Sequence, residues 1–124
     1  LVDAGADLIV GSGPHVLRGL EAYHGALICY SLGNLVFDDL GNEETSATAI
    51  VRMTLCPAPG GGNKKEFEVA PLRTRDIARG PACPTQEEAR RIVRDLALRS
   101  PQPGLINAAP RSTESGLYWF PVGE

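Results

Sequence analysis

Gly11-Ser12-Gly13-Pro14-His15 carries two glycines, a proline and one of only two histidines in the chain, directly after the apolar run Leu8-Ile9-Val10. A strand that ends in such a turn holds an imidazole still at the rim of a cleft, where it can bind a metal, contact a phosphate or move a proton. The alternative is an ordinary tight turn with an exposed histidine. Further on, Tyr30-Ser31-Leu32-Gly33-Asn34 closes a second apolar run, Ala26 to Cys29, and Asn34 can hydrogen-bond back to nearby backbone. Asp38 and Asp39 are adjacent carboxylates after Leu35-Val36-Phe37. They are within the reach of a metal site, but read more simply as part of the acidic loop running to Glu44. Asp3 and Asp7 flank the first turn, and Asp7 reads as a structural residue bonding to backbone. Cys29, Cys56 and Cys83 are widely spaced, with no Cys-x-x-Cys or Cys/His cluster, which excludes a zinc ribbon. Cys29 reads as a small buried apolar residue. Cys56 and Cys83 sit beside prolines in loops, and a disulfide between them is open at this stage.

The elements that position these residues follow from pattern. Leu1 to Ala4 reads as a helix tail stopped by Gly5. Ala6 to Val10 is an apolar run without alternation, expected as a strand buried on both faces. Leu20–Tyr23 and Ala26–Ser31 form a hairpin across His24-Gly25, so His24 is expected as a turn residue. Leu35-Val36-Phe37 is expected as an apolar anchor. Ser46 to Leu55 alternates, with Ala47, Ala49, Val51, Met53 and Leu55 on one side, and Lys65 to Leu72 returns from the Pro57–Asn63 loop as a second hairpin. That glycine-rich loop lacks the Lys-Ser/Thr and following helix of a phosphate cradle. Arg73 to Pro84 is irregular and basic. Thr85-Gln86-Glu87-Glu88 is a capping box opening a helix to about Arg99, with Ala89, Ile92, Val93, Leu96 and Ala97 on its apolar face and Ser100-Pro101 as its stop. Arg90, Arg91 and Arg94 are expected in solvent, pairing with Glu87 and Asp95. Leu117 to Phe120 is expected as a last strand packing on the sheet.

The 124 residues make at most one modest domain, with an ordinary apolar fraction of 43% and a net charge of −3. Basic residues concentrate after residue 60 but are interleaved with acids rather than aromatics, which argues against a nucleic-acid surface. No apolar run approaches the ~20 residues a membrane helix needs, and no secretion signal is visible. The chain opens on Leu1 without an initiator Met, and is read as a fragment or a gene model missing its front end.

Ala6 through Asp38 resembles the CapA family, proteins associated with bacterial capsule and poly-gamma-glutamate synthesis, whose late signature runs ADLVIGHxPHVLxGIEIYKGxPIFYSLGNFVFD. The match is gapless and carries two linked motifs, Pro14-His15-Val16-Leu17 and Tyr30-Ser31-Leu32-Gly33-Asn34. The resemblance implies an α/β fold: the C-terminal half of a four-layer αββα sandwich of the calcineurin-like metallophosphoesterase type, with two mixed sheets. Residues 1–124 would then be the C-terminal part of a single domain. It also implies a divalent metal (Mn, Fe or Zn) with His15 as ligand, His15 and Asn34 as catalytic candidates, and Arg18, Tyr30 and Ser31 as substrate-binding candidates. The expected reaction is metal-dependent hydrolysis of a phosphate ester, and the expected partner is a polyanionic polymer or a phosphorylated small molecule. Members of the family are often membrane-anchored or extracellular. The early metal motifs of the complete fold are absent here, and Ser12 stands where the family carries a histidine; a hydroxyl is a weak ligand and cannot act as an imidazole does. A non-catalytic accessory or polymer-binding module is therefore the second reading. A third is an incomplete product exposing apolar strands such as Leu8–Val10 and Leu27–Cys29.

Overall fold

The computed structural model describes residues 1–38, 41–75, 78–112 and 115–123. After a 3-10 turn at Val2–Ala4, the first sheet is built from β1 (Leu8–Val10), β2 (Leu20–Tyr23) and β3 (Ala26–Cys29), in the order β1-β3-β2. β1 runs parallel to β3, in register Ile9 to Ile28, and β2 pairs antiparallel with β3. His24 and Gly25 both take positive φ, 49° and 77°, which is the type I′ geometry a two-residue hairpin requires.

The second sheet contains β4 (Ala47–Pro57), β5 (Asn63–Arg73), β6 (Arg111–Ser112) and β7 (Tyr118–Val122), in the order β4-β5-β7-β6. All its pairings are antiparallel, so only one of the two sheets is mixed, where two mixed sheets were expected. The helix α1 (Gln86–Leu98) begins at the expected capping box. The Thr85 hydroxyl accepts from Glu88 N, and the Glu88 carboxylate accepts from Thr85 N at 2.9 Å. Its buried face is Ala89, Ile92, Val93 and Leu96, packed on β5 and β7.

One apolar core joins the two sheets and the helix, including Leu17, Leu20, Leu27 and Cys29 from the first part of the chain and Val69, Phe120, Ile92 and Leu96 from the second. The helix end seats directly on the start of β2. A Cβ on Gly19 would lie 2.1 Å from the Arg99 carbonyl oxygen, so only glycine permits this approach. Three polar side chains finish the junction. Ser100 Oγ accepts from Leu20 N at 3.0 Å, while Gln102 accepts from Ala22 N at 2.8 Å and donates to Ala22 O at 2.7 Å, a side-chain copy of a strand partner along the outer edge of β2. Arg99 Nη1 donates to Leu17 O at 2.7 Å.

Several expectations change. β1 is an edge strand, with Leu8 and Ile9 half-buried and Val10 55% exposed, so it is not covered on both faces. Leu27 and Cys29, expected to be exposed in an incomplete product, are buried by the helix-bearing half of the chain. Leu35, Val36 and Phe37 are exposed rather than anchored, because the segment bridges to Arg75 at the sheet margin instead of entering the core. Along β4 the alternation holds except at its ends, where Thr48 is buried and Leu55 exposed. Arg91 pairs with Glu43 across the fold, which its long side chain reaches more directly than the helix neighbours expected for it. Asp7 forms an ion pair with Lys65 of β5, and it is its backbone carbonyl that accepts from Leu27 N. All three cysteines are free thiols. Asp39 lies outside the described residues.

Candidate functional site

The turn that follows β1 places His15 at φ 61°, a left-handed conformation that histidine adopts more readily than most residues but that still costs backbone strain. Its exposed ring is held on two sides. Nδ1 lies 2.8 Å from Asn34 Oδ1, and the Phe37 ring packs against it at 5.0 Å with a 50° tilt. Asn34 is buried, and its amide nitrogen faces the Thr45 carbonyl at 3.5 Å. With the amide nitrogen used in this way, Oδ1 faces the imidazole. A carboxamide oxygen only accepts, so Nδ1 must carry the proton and donate. In the neutral ring Nε2 then carries the lone pair, the arrangement found where a second partner fixes a histidine for ligand or proton chemistry.

The support beneath this pair comes from the second sheet. The Thr74 hydroxyl donates to Asn34 O, and the Thr48 hydroxyl donates to Leu32 O at 2.7 Å. Gly33, at φ 73°, lets the chain pass under β4: a Cβ there would sit 2.6 Å from Ala47 O. Asn34 was expected to bond to nearby backbone; its longer reach to His15 and Thr45 follows from this close approach of the turn to β4.

The other candidates divide. Ser31 is buried, and its hydroxyl accepts from Gly33 N at 3.2 Å, which makes it a brace of the turn. The Tyr30 hydroxyl donates to Glu21 Oε2 at 2.5 Å, and this carboxylate contact raises the phenol pKa above its ordinary value. Tyr30 therefore turns toward β2 rather than toward His15. Arg18 is exposed, with its backbone N donating to Ser31 O at 3.0 Å. Ser12 and Asp38 are exposed. The structure thus brings together His15, Asn34 and Phe37, with Thr45, Thr48 and Thr74 behind them. Thr45 lies in the turn before β4, Thr48 in β4 and Thr74 just after β5, and no signal in the sequence marks them.

A strand-end imidazole fixed by an amide, on a mixed α/β fold, defines the class of site. Residues 1–39 match the family model described as bacterial capsule synthesis protein PGA_cap. The PGA biosynthesis protein CapA of Bacillus subtilis (strain 168) is 40% identical over 94 residues, covering 76% of this chain and 23% of that protein. The capsule biosynthesis protein CapA of Bacillus anthracis is 51% identical over 55 residues, covering 44% of this chain and 13% of that protein. A Mycobacterium tuberculosis (strain CDC 1551 / Oshkosh) protein named "Probable polyglutamine synthesis accessory protein" is 30% identical over 92 residues, covering 71% and 24%. Over these matched stretches the chain is similar to the CapA family. It spans about a quarter or less of the length of these relatives.

Proposed function

We propose that this chain is the C-terminal part of a CapA-like domain of the calcineurin-like metallophosphoesterase type, acting in capsule or poly-gamma-glutamate biosynthesis, with His15 as its contribution to a metal-dependent phosphoester hydrolase site. The observation that carries the reading is the His15–Asn34 hydrogen bond of 2.8 Å, which dedicates Nδ1 to the amide and leaves Nε2 for a ligand. The open outer edge of β1, with Val10 exposed, supports a larger sandwich in which further strands cover this margin.

The divalent metal that the fold family implies does not find a full ligand set here. Among the described residues no three His, Cys, Asp or Glu side chains converge, the Asn34 amide is spent on His15, and the Ser12 hydroxyl is a poor substitute for imidazole. What its own residues do is hold one imidazole in a single tautomer and orientation, with Arg18 exposed nearby as a candidate for an anionic substrate.

Ser12 favours a second reading, a non-catalytic accessory module that binds a polyanionic polymer. Calorimetric titration with Mn²⁺, with thermal melts alongside, separates the two. The hydrolase reading expects stoichiometric binding by the wild-type chain that His15→Ala abolishes. The accessory reading expects little binding by wild type and at least a tenfold gain in Ser12→His, lost again when His15 is also replaced by Ala. Cooperative melting with no binding by either form would overturn the assignment of His15 to a metal site.

A further inference from the structure

Three arginines, one from β5 and two from α1 and its C-cap, converge beside the His15 turn. Arg73 at the end of β5, Arg91 in the middle of α1 and Arg99 at its C-cap line a cleft of about 110 Å³ whose floor is Leu17, Ala47, Ile92 and Leu96. The cleft is occupied by two consecutive glutamates of the loop before β4. Glu43 accepts from Arg91 and from Arg73, the latter at 3.5 Å, and Glu44 accepts from Arg99 at 2.9 Å. The pairing with Arg91 holds the Glu43 carboxyl below its ordinary pKa. Two further carboxylates face the arginines. Glu88 lies 3.6 Å from Arg73 but is committed to the helix cap, and Asp95 lines the wall beside Arg91.

We infer that this cleft is a binding site for a polycarboxylate chain, and that Glu43 and Glu44 fill it as an internal mimic which such a chain displaces. The inference rests on the polymer-binding element of the proposed function and names its site. Three features of the geometry point this way. Guanidinium forks match carboxylates, and here Arg73 and Arg91 share one carboxylate while Arg99 takes that of the next residue, so the cleft receives two successive carboxylates rather than a single small anion. The present occupants are themselves neighbouring glutamates. Their side chains are also the detachable part: Glu43 and Glu44 are 67% and 64% exposed, held at their tips by the arginines. The loop backbone, by contrast, is braced independently. Asn42 and Thr45 bond each other in both directions, and Ser46 Oγ donates to Glu43 O at 2.8 Å. The two side chains can therefore swing out while the loop stays in place. With them gone, Glu88 and Asp95 are the carboxylates that face the three guanidiniums among the described residues.

The cleft also touches the candidate site. Arg99 holds Leu17 O, two residues from His15, and Thr45, next to Glu44, supplies the carbonyl that faces the Asn34 amide.

The test is fluorescence anisotropy with a labelled ten-residue γ-linked glutamate oligomer at low and physiological salt. Glu43→Gln/Glu44→Gln is expected to bind at least tenfold more tightly than wild type, and adding Arg91→Gln and Arg99→Gln should remove the gain. A control with the same charge change placed elsewhere, Asp3→Asn/Glu66→Gln, should bind like wild type. Circular dichroism confirms that each variant is folded. On the wild-type chain, NMR of the arginine Nε–H groups under saturating oligomer should move Arg73, Arg91 and Arg99 together, which tests the site without any substitution. Equal tightening in the control pair, or tightening that survives loss of the arginines, would overturn the cleft while leaving polymer binding in place. No binding of the oligomer by any variant, with these arginines unmoved, would overturn both the cleft and the polymer-binding reading, but not the metal test at His15.

Discussion

At the scale of single residues, burial and hydrogen-bond partners decide which groups can react. Cys29 is fully buried at the end of β3, and burial pushes its thiol up from 9.0 to about 11. The thiolate is the reactive form, so a buried thiol held protonated is inert. Native protein is expected to show Cys83, which is exposed, reacting first with a thiol reagent such as DTNB, Cys56 more slowly, and Cys29 only on unfolding. The same shift sets a pH dependence. Between pH 9 and about 11 the unfolded thiol loses its proton while the folded one keeps it, so the folded state binds more protons and stability falls as pH rises. The contribution is complete below pH 9 and gone above about 11, with a size of about 3 kcal/mol. Urea titrations at pH 8, 10 and 11, repeated on Cys29→Ala, measure it. The steeper decline should belong to the wild type. His15 illustrates a different residue-scale point. Its motif was legible in the sequence, but the identity of its hydrogen-bond partner was not. Asn34 is nineteen positions away, and only the passage of Gly33 beneath β4 turns its amide toward the ring.

At the scale of elements, the capping box, the His24-Gly25 hairpin and the long β4–β5 hairpin were all readable, because each is a local pattern whose energetics are settled within a few residues. The turn from Ser31 to Asn34 is the element on which the site depends. Gly33 satisfies two demands there, a φ of 73° and a clearance that a Cβ would breach at 2.6 Å from Ala47 O. Gly33→Ala is expected to destabilise the chain by about 2–3 kcal/mol, from left-handed strain plus displacement of β4. It should also shift the His15 imidazole resonances in a heteronuclear NMR spectrum, as the Asn34 contact is lost. A variant that melts like wild type with an unchanged His15 spectrum would show that the turn does not position the ring. What pattern missed at this scale was cover. β1 has the composition of a central parallel strand, yet composition does not say what lies on its far side, and Val10 is exposed.

At the scale of the whole molecule, the two sheets are held together by the segment after α1. Ser100 and Gln102 bond three backbone groups of β2, and those bonds both join the halves and close an open strand edge. Gln102→Ala leaves the Ala22 N–H and C=O without their partner in a partly buried place. A loss of about 1–3 kcal/mol is expected, together with increased self-association from the uncovered edge. Chemical denaturation and light scattering report the two effects, and an unchanged scattering profile would mean that β2's edge is protected by other means. The ion pairs of the acidic loop are a contrasting case. They cross the molecule but lie in solvent, so they add little to the stability of the fold, and the loop keeps its own backbone braces.

By itself, the sequence determined the class of fold, most of the strands, both hairpins, the helix with its start and stop, and the family resemblance, since all of these rest on local periodicity, turn chemistry or contiguous motifs. Only the tertiary structure decided which groups meet. The three threonines beneath the His15 turn, the side-chain strand partner formed by Gln102, and the glutamate pair seated among Arg73, Arg91 and Arg99 all join positions far apart in the chain. Each is polar, surface-compatible and unremarked by any spacing rule. The physical reason is that a hydrogen bond or ion pair acts over about 3 Å in space, and a residue's own neighbours in sequence carry no record of which distant strand the folded core will place within that reach.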